Sequence, residues 1–181
     1  VEQWYRMGQS KNLNEFKDAM RIHALPMFNT AYGDRDGNIF YCYNALLPER
    51  TDGHDWNGIV PGNSSETLWT KYRPFNELPI VENPKSGFIQ NCNSDPFQTT
   101  IGNDNPDETV FSENYGIEKW MTNRALRAIE LYGGDDSITH EEFFRYKYDK
   151  MYSEKSELRI QVNDFLRAQP ESNELKKELE L

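Results

Sequence analysis

Phe16, Ala19, Met20 and His23 recur at helical spacing behind the polar start Asn12-Leu13-Asn14-Glu15, whose first and last residues can cap one another's backbone N–H groups. The pattern predicts an amphipathic helix over 12–24, stopped by Pro26. The period then shortens. Met27 to Gly33 and Asn38 to Ala45 are aromatic-rich runs on either side of Asp34-Arg35-Asp36-Gly37, and Asp36-Gly37 supplies the positive φ of a tight turn, so the two runs predict a β-hairpin. From Pro48 to Pro84 the spacing is set by Pro, Gly, Asn and Ser, with isolated apolar positions at Trp69, Tyr72 and Phe75, which predicts an ordered segment winding over the surface. Gly87 to Asn91 reads as one further short strand running into the polar stretch Cys92-Asn93-Ser94-Asp95-Pro96-Phe97.

Helical periodicity returns in the last third. Ile117, Trp120, Met121, Ala125, Ala128 and Leu131 form one stripe, ended by Gly133-Gly134. Thr139 with Glu142 makes a capping box ahead of Phe143, Phe144, Lys147 and Met151, and a third helix runs through Leu158, Val162, Phe165 and Leu166 to Pro170. The reading is therefore α+β: a β-rich stretch with long ordered loops over 1–110, helices over 111–170 and a charged tail over 171–181, all within one domain.

Composition alters this picture in one respect. Hydrophobic residues make up 36% of the chain, and the mean hydropathy of -0.87 is low for a self-contained globule although aromatics reach 13%. Such a chain fits a piece of a larger protein whose neighbours supply the missing apolar partners. The net charge of -10 excludes a phosphate-tracking nucleic-acid binder, which needs Lys and Arg to displace counterions. No apolar run approaches the roughly 18 residues of a membrane span, and Val1-Glu2-Gln3-Trp4 is not a signal-peptide start.

Other familiar chemistries find little support. Cys42 and Cys92 lack zinc-site spacing and read as two buried thiols, with pairing left open. His23, His54 and His140 show no ligand or triad spacing, and a GxSxG nucleophile signature is absent, so all three read as structural or exposed. "GGDDSITHEEF" and "DRDGN" sound like calcium loops, but aligning the first puts Leu131 and Gly133 at ligand positions, and the second has Ile39 at the required Gly. Both read as turn and cap chemistry.

Three segments, in order, resemble the β-subunit of the penicillin amidase family of N-terminal-nucleophile hydrolases, which includes penicillin, cephalosporin and acyl-homoserine lactone acylases. They are "FNTAYGDRDGNIFY" (28–41), "GHDWNGIVPG" (53–62) and "NPKSGFIQNCNSDPF" (83–97), with a weaker fourth, "NRALRAIELY" (123–132). The resemblance implies part of the four-layered αββα fold. It implies a parent that cleaves acyl-amide bonds of an antibiotic, a lipopeptide or an acyl-homoserine lactone, as in antibiotic processing or quorum quenching, and that is periplasmic or secreted. The family nucleophile opens the β-subunit, whereas residue 1 here is Val, so the chain is expected to begin downstream of it and to be inactive alone. Its partners are then the α-subunit and the rest of the β-subunit. The alternative is a noncatalytic ligand-binding module on the same fold.

Residue by residue, the family's Asn-x-Asn motif falls on Asn91-Cys92-Asn93, and its second Asn, here Asn93, donates to the oxyanion of the transition state; the plainer reading is a turn residue after a strand. The family's Arg that orients this Asn falls on Arg124, with Arg127 as fallback; a planar guanidinium fork suits an amide carbonyl, and the plainer reading is an exposed helical Arg. Asp104 falls near a ligand of the structural calcium that some relatives bind. No cofactor is implied for the chemistry. Trp56, Trp69, Phe75 and Phe97 read either as walls of an acyl pocket or as loop anchors.

Overall fold

Met27–Gly33 (β1) and Ile39–Ala45 (β2) pair antiparallel in full register from Met27 opposite Ala45 to Gly33 opposite Ile39. This is the predicted hairpin. Its turn is organised by Asp34, whose carboxylate accepts the backbone N–H groups of Asp36 and Asn38 at 3.0 Å each, while Gly37 takes φ 87°. The hydrogen bond from the Asn38 side chain, foremost, holds the Asp34 carboxyl below its ordinary range.

The computed structural model describes residues 1–167, and the chain divides into two packed units between Met121 and Thr122. In the first unit Ile80–Glu82 (β3) pairs with β2, giving a three-stranded antiparallel sheet in the order β1-β2-β3. Central β2 buries both faces. Leu13–Met20 (α2) lays Leu13, Phe16 and Met20 against Phe40 and Cys42, and Phe75, Leu78 and Val81 complete the core. Each of these side chains, once fully buried, contributes roughly 1.5–3 kcal/mol of transfer free energy.

Three departures from the sequence reading have physical causes. Glu2–Gln9 (α1) is a helix that no cap or stop signal announces; it is fixed by tertiary contacts, with Gln3 buried and its Oε1 accepting the N–H of Ala24 at 2.7 Å. The helix expected over 12–24 keeps its Asn12 cap but ends as α2 at Met20, ahead of His23 at φ 54°. Gly87 to Asn91 is not a strand. Gln90 instead donates its N–H to the Thr99 carbonyl at 2.7 Å and its Nε2 to the Gln98 carbonyl at 2.6 Å, while β3 takes the free edge of β2.

The second unit holds Asn123–Gly133 (α3), His140–Lys147 (α4) and Glu157–Arg167 (α5). α3 starts six residues later than the apolar stripe suggests: Thr122 takes the cap, accepting the N–H of Ala125 at 3.1 Å, and in the first unit the Trp120 carbonyl accepts the N–H of Asp95 instead of a helical partner. Gly134 follows its end. α4 has the predicted capping box on Thr139 and Glu142 but stops at Lys147, short of Met151. Arg127 grips Asp149 through Nε and Nη2 at 2.9 and 3.2 Å, tying α3 to the chain after α4. Leu158, Ile160, Val162, Phe165 and Leu166 of α5 are all exposed, leaving apolar surface uncovered. Pro170 and the charged tail lie outside the described residues. No described helix is long and apolar enough to cross a membrane.

Candidate functional site

The polar run after Asn91 folds into a tight, pinned turn. The N–H of Asn93 donates to Asn91 Oδ1 at 3.0 Å, and Asn91 Nδ2 donates to the Ser94 carbonyl at 3.1 Å. Asn93 itself sits at φ 59°, in the left-handed region that Asn tolerates better than most residues, and its side chain is exposed. Ser94, Asp95, Pro96 and Phe97 behind it are buried. Asp95 anchors the turn twice: its Oδ1 accepts the N–H of Phe97 at 2.9 Å, capping the 3-10 turn Pro96–Gln98, and its own N–H donates to Trp120 at 2.9 Å.

This turn borders a cavity of about 120 Å³ whose walls include Asn29, Tyr43, Asn93, Asp95, Glu118 and Trp120. Asn29 and Tyr43 face each other across the hairpin, and Asn29 Oδ1 accepts the Tyr41 hydroxyl at 2.6 Å. Burial pushes the Asp95 carboxyl above its ordinary range against the pull of the Phe97 N–H. Burial, then the charge of Glu118, pushes the Tyr43 hydroxyl up as well. The site therefore pairs an exposed Asn side chain, carried on a backbone turn that is pinned by hydrogen bonds, with an electronegative cavity. An amide NH2 held on a rigid turn beside a cavity can donate to a carbonyl oxygen as negative charge builds on it.

Arg124 is exposed on the first turn of α3, in the second unit, whereas Asn93 belongs to the first. Arg127 is committed to Asp149 and Glu130, and the hydrogen bond to Asp149 is the main reason its guanidinium is held above the ordinary value. Asp104 Oδ2 accepts the N–H of Lys85 at 2.8 Å, and among the described residues no group of three or more His, Cys, Asp or Glu side chains could hold a metal ion. One carboxylate falls far short of the roughly six to eight oxygens calcium takes. Trp56 and Trp69 both face the Arg50 guanidinium, at 5.4 and 4.9 Å, so they anchor the long loop, and Phe75 and Phe97 are buried. His23 Nε2 contacts the Ala45 carbonyl at 2.6 Å, His54 packs on Trp56 and His140 on Phe144. Cys42 and Cys92 do not form a disulfide with each other; Cys42 is fully buried and Cys92 partly so.

Glu118 and Trp120 were not foreseeable, since no motif or spacing connects them to Asn93. Asn29 and Tyr43 carried a usable signal: the Asp36-Gly37 turn fixes the hairpin register that sets them opposite one another.

With this geometry in hand, the chain can be set beside known proteins. The family profile described as penicillin amidase matches residues 1–180. A penicillin G acylase of Escherichia coli is 37% identical over 93 residues, 51% of this chain and 11% of that protein. A solved structure of a thermostable penicillin G acylase from Alcaligenes faecalis superposes with a TM-score of 0.69 at 23% identity, over 98% of this chain and 30% of that one. At that identity the superposition speaks for a shared α+β fold. The chain thus spans less than a third of the length of either relative.

Proposed function

The chain belongs to the penicillin amidase family, and on that premise we propose that it supplies the oxyanion-stabilising part of an acyl-amide hydrolase, with Asn93 as the donor. The observation that carries this reading is the fixed presentation of Asn93: left-handed at φ 59°, exposed, and held by Asn91 beside a cavity.

In the proposed reaction a terminal hydroxyl supplied from outside these residues attacks the acyl carbon, its own α-amino group taking the proton. The carbonyl π pair moves onto oxygen, and the Asn93 amide donates to it there. Collapse expels the amine with that proton and leaves an ester, which water hydrolyses to the carboxylic acid. Donors aimed at the oxyanion are commonly the largest single catalytic term. Arg124 acts as a positioning residue, its planar fork holding the Asn93 carbonyl so that the NH2 faces the substrate.

The same reading makes the remaining α- and β-segments of one precursor the partners of this chain, places the parent in the periplasm or outside the cell, and makes the chain alone inactive. The relatives are penicillin G acylases, so an amide of a β-lactam nucleus is the first substrate to try. A structural calcium would take one ligand from Asp104 and the others from outside the chain; no step of the chemistry runs through it. Replacing Asn93 by Ala in the full-length protein, with electrophoresis confirming self-processing, tests the proposal. A fall in kcat of roughly a hundredfold or more supports it; full activity in a processed variant refutes it.

A further inference from the structure

We propose that the cavity beside Asn93 is a subsite for an organic ammonium group, so that the amides best suited to this site carry a cationic amine close to the bond that is cleaved. This rests on the reading of Asn93 as the oxyanion donor, and it adds a substrate class to it.

Size sets the first limit. At about 120 Å³ the cavity is well below the roughly 300–1,000 Å³ of pockets that enclose a whole drug-sized ligand, so it suits one substituent. Its chemistry sets the second. Asp95 and Glu118 contribute two carboxylates, and no ion pair of the first unit includes either of them. Tyr43 and Trp120 contribute aromatic rings, whose faces attract cations. An anion is repelled here, and a bare metal ion finds too few ligands among the described residues.

An independent feature points the same way. Ser94, which also lines the cavity, is 5% exposed, and its hydroxyl is buried with no hydrogen-bond partner. Buried polar groups are nearly always satisfied, and leaving one unmatched costs about 1–3 kcal/mol. An alkylammonium has three N–H donors, enough for two carboxylates and this hydroxyl. Burial already disfavours the ionised Asp95, and a cation in the cavity would offset that penalty.

Titration calorimetry on the full-length protein, with benzylammonium and its neutral counterpart benzyl alcohol as probes, tests the subsite. Glu118 is exposed, and Asn at 95 keeps an oxygen for the Phe97 N–H, so Glu118→Gln and the pair Asp95→Asn with Glu118→Gln should remain folded, which circular dichroism checks. The wild type should bind benzylammonium at least tenfold more tightly than benzyl alcohol. That preference should fall several-fold in Glu118→Gln and vanish in the double variant, with benzyl alcohol binding unchanged. Equal binding of the two probes, no binding of benzylammonium, or a preference that survives in the double variant overturns the proposal. The readout is binding and not turnover. Lost charge preference in an active amidase would refute the subsite alone, and preserved preference in an inactive protein would refute the hydrolase reading alone.

Discussion

Asn91 Oδ1 accepts the backbone N–H of Asn93 at 3.0 Å, so the first Asn of the motif fixes the conformation of the second. Asn91→Ala removes that acceptor and, with Nδ2, the donor to the Ser94 carbonyl. Turnover of the full-length protein should fall about fivefold or more, the equivalent of one hydrogen bond of about 1 kcal/mol. Asn91→Asp retains the acceptor and should recover most of the loss in kcat with KM unchanged. An Asn91→Asp variant as slow as Asn91→Ala would show that this hydrogen bond does not position Asn93.

Asp95 should reveal itself in the pH dependence of stability. Burial raises its folded pKa above the unfolded value, so the folded state binds the proton more readily. The stability this contributes is complete below the unfolded pKa and is lost as pH rises through the folded pKa. At neutral pH the ionised carboxylate is therefore a net cost. Asp95→Asn keeps an oxygen for the Phe97 N–H and should melt at or above the wild-type temperature at pH 7, with any advantage shrinking as the pH falls through the carboxylate range. A variant that melts well below wild type at pH 7 contradicts this.

Arg50 is the staple of the long loop. Its guanidinium faces Trp56 and Trp69, and Nη1 donates to the Asn114 carbonyl at 2.8 Å. Gly116, at φ 69°, leaves room for it, since a methyl there would come within 2.8 Å of Nη1. A lysine cannot stack on two indoles and donate from a planar fork at once. Arg50→Lys should cost about 1–2 kcal/mol and open residues 51–72 to proteolysis before the rest of the first unit. Cleavage at the wild-type rate would mean that the loop is held by other contacts.

How legible all this was depended on where the determining contacts lie. The hairpin and the caps at Asn12 and Thr139 could be read because each is closed by residues within a few positions of one another. α1 was invisible because what holds it, Gln3 to Ala24, spans 21 positions. Gly87 to Asn91 had the composition of a strand, yet its backbone partner is the returning chain at Thr99, and composition does not say which partner wins. The stripe begun at Ile117 overran because the Trp120 carbonyl serves Asp95. The motif turn of the candidate site was legible from its resemblance to a family; the cavity beside it was not, because Glu118 and Trp120 arrive from a segment that no local pattern connects to Asn93.

The most direct test of the central claim uses Asn93→Gly in the full-length protein. Glycine adopts φ 59° without strain, so the turn survives while the amide donor is removed, and the catalytic role of Asn93 is separated from its structural one. The account predicts a processed protein with a near wild-type melting temperature whose kcat for acyl-amide hydrolysis is lower by roughly a hundredfold or more. A processed Asn93→Gly protein that hydrolyses at the wild-type rate would show that Asn93 only turns the chain.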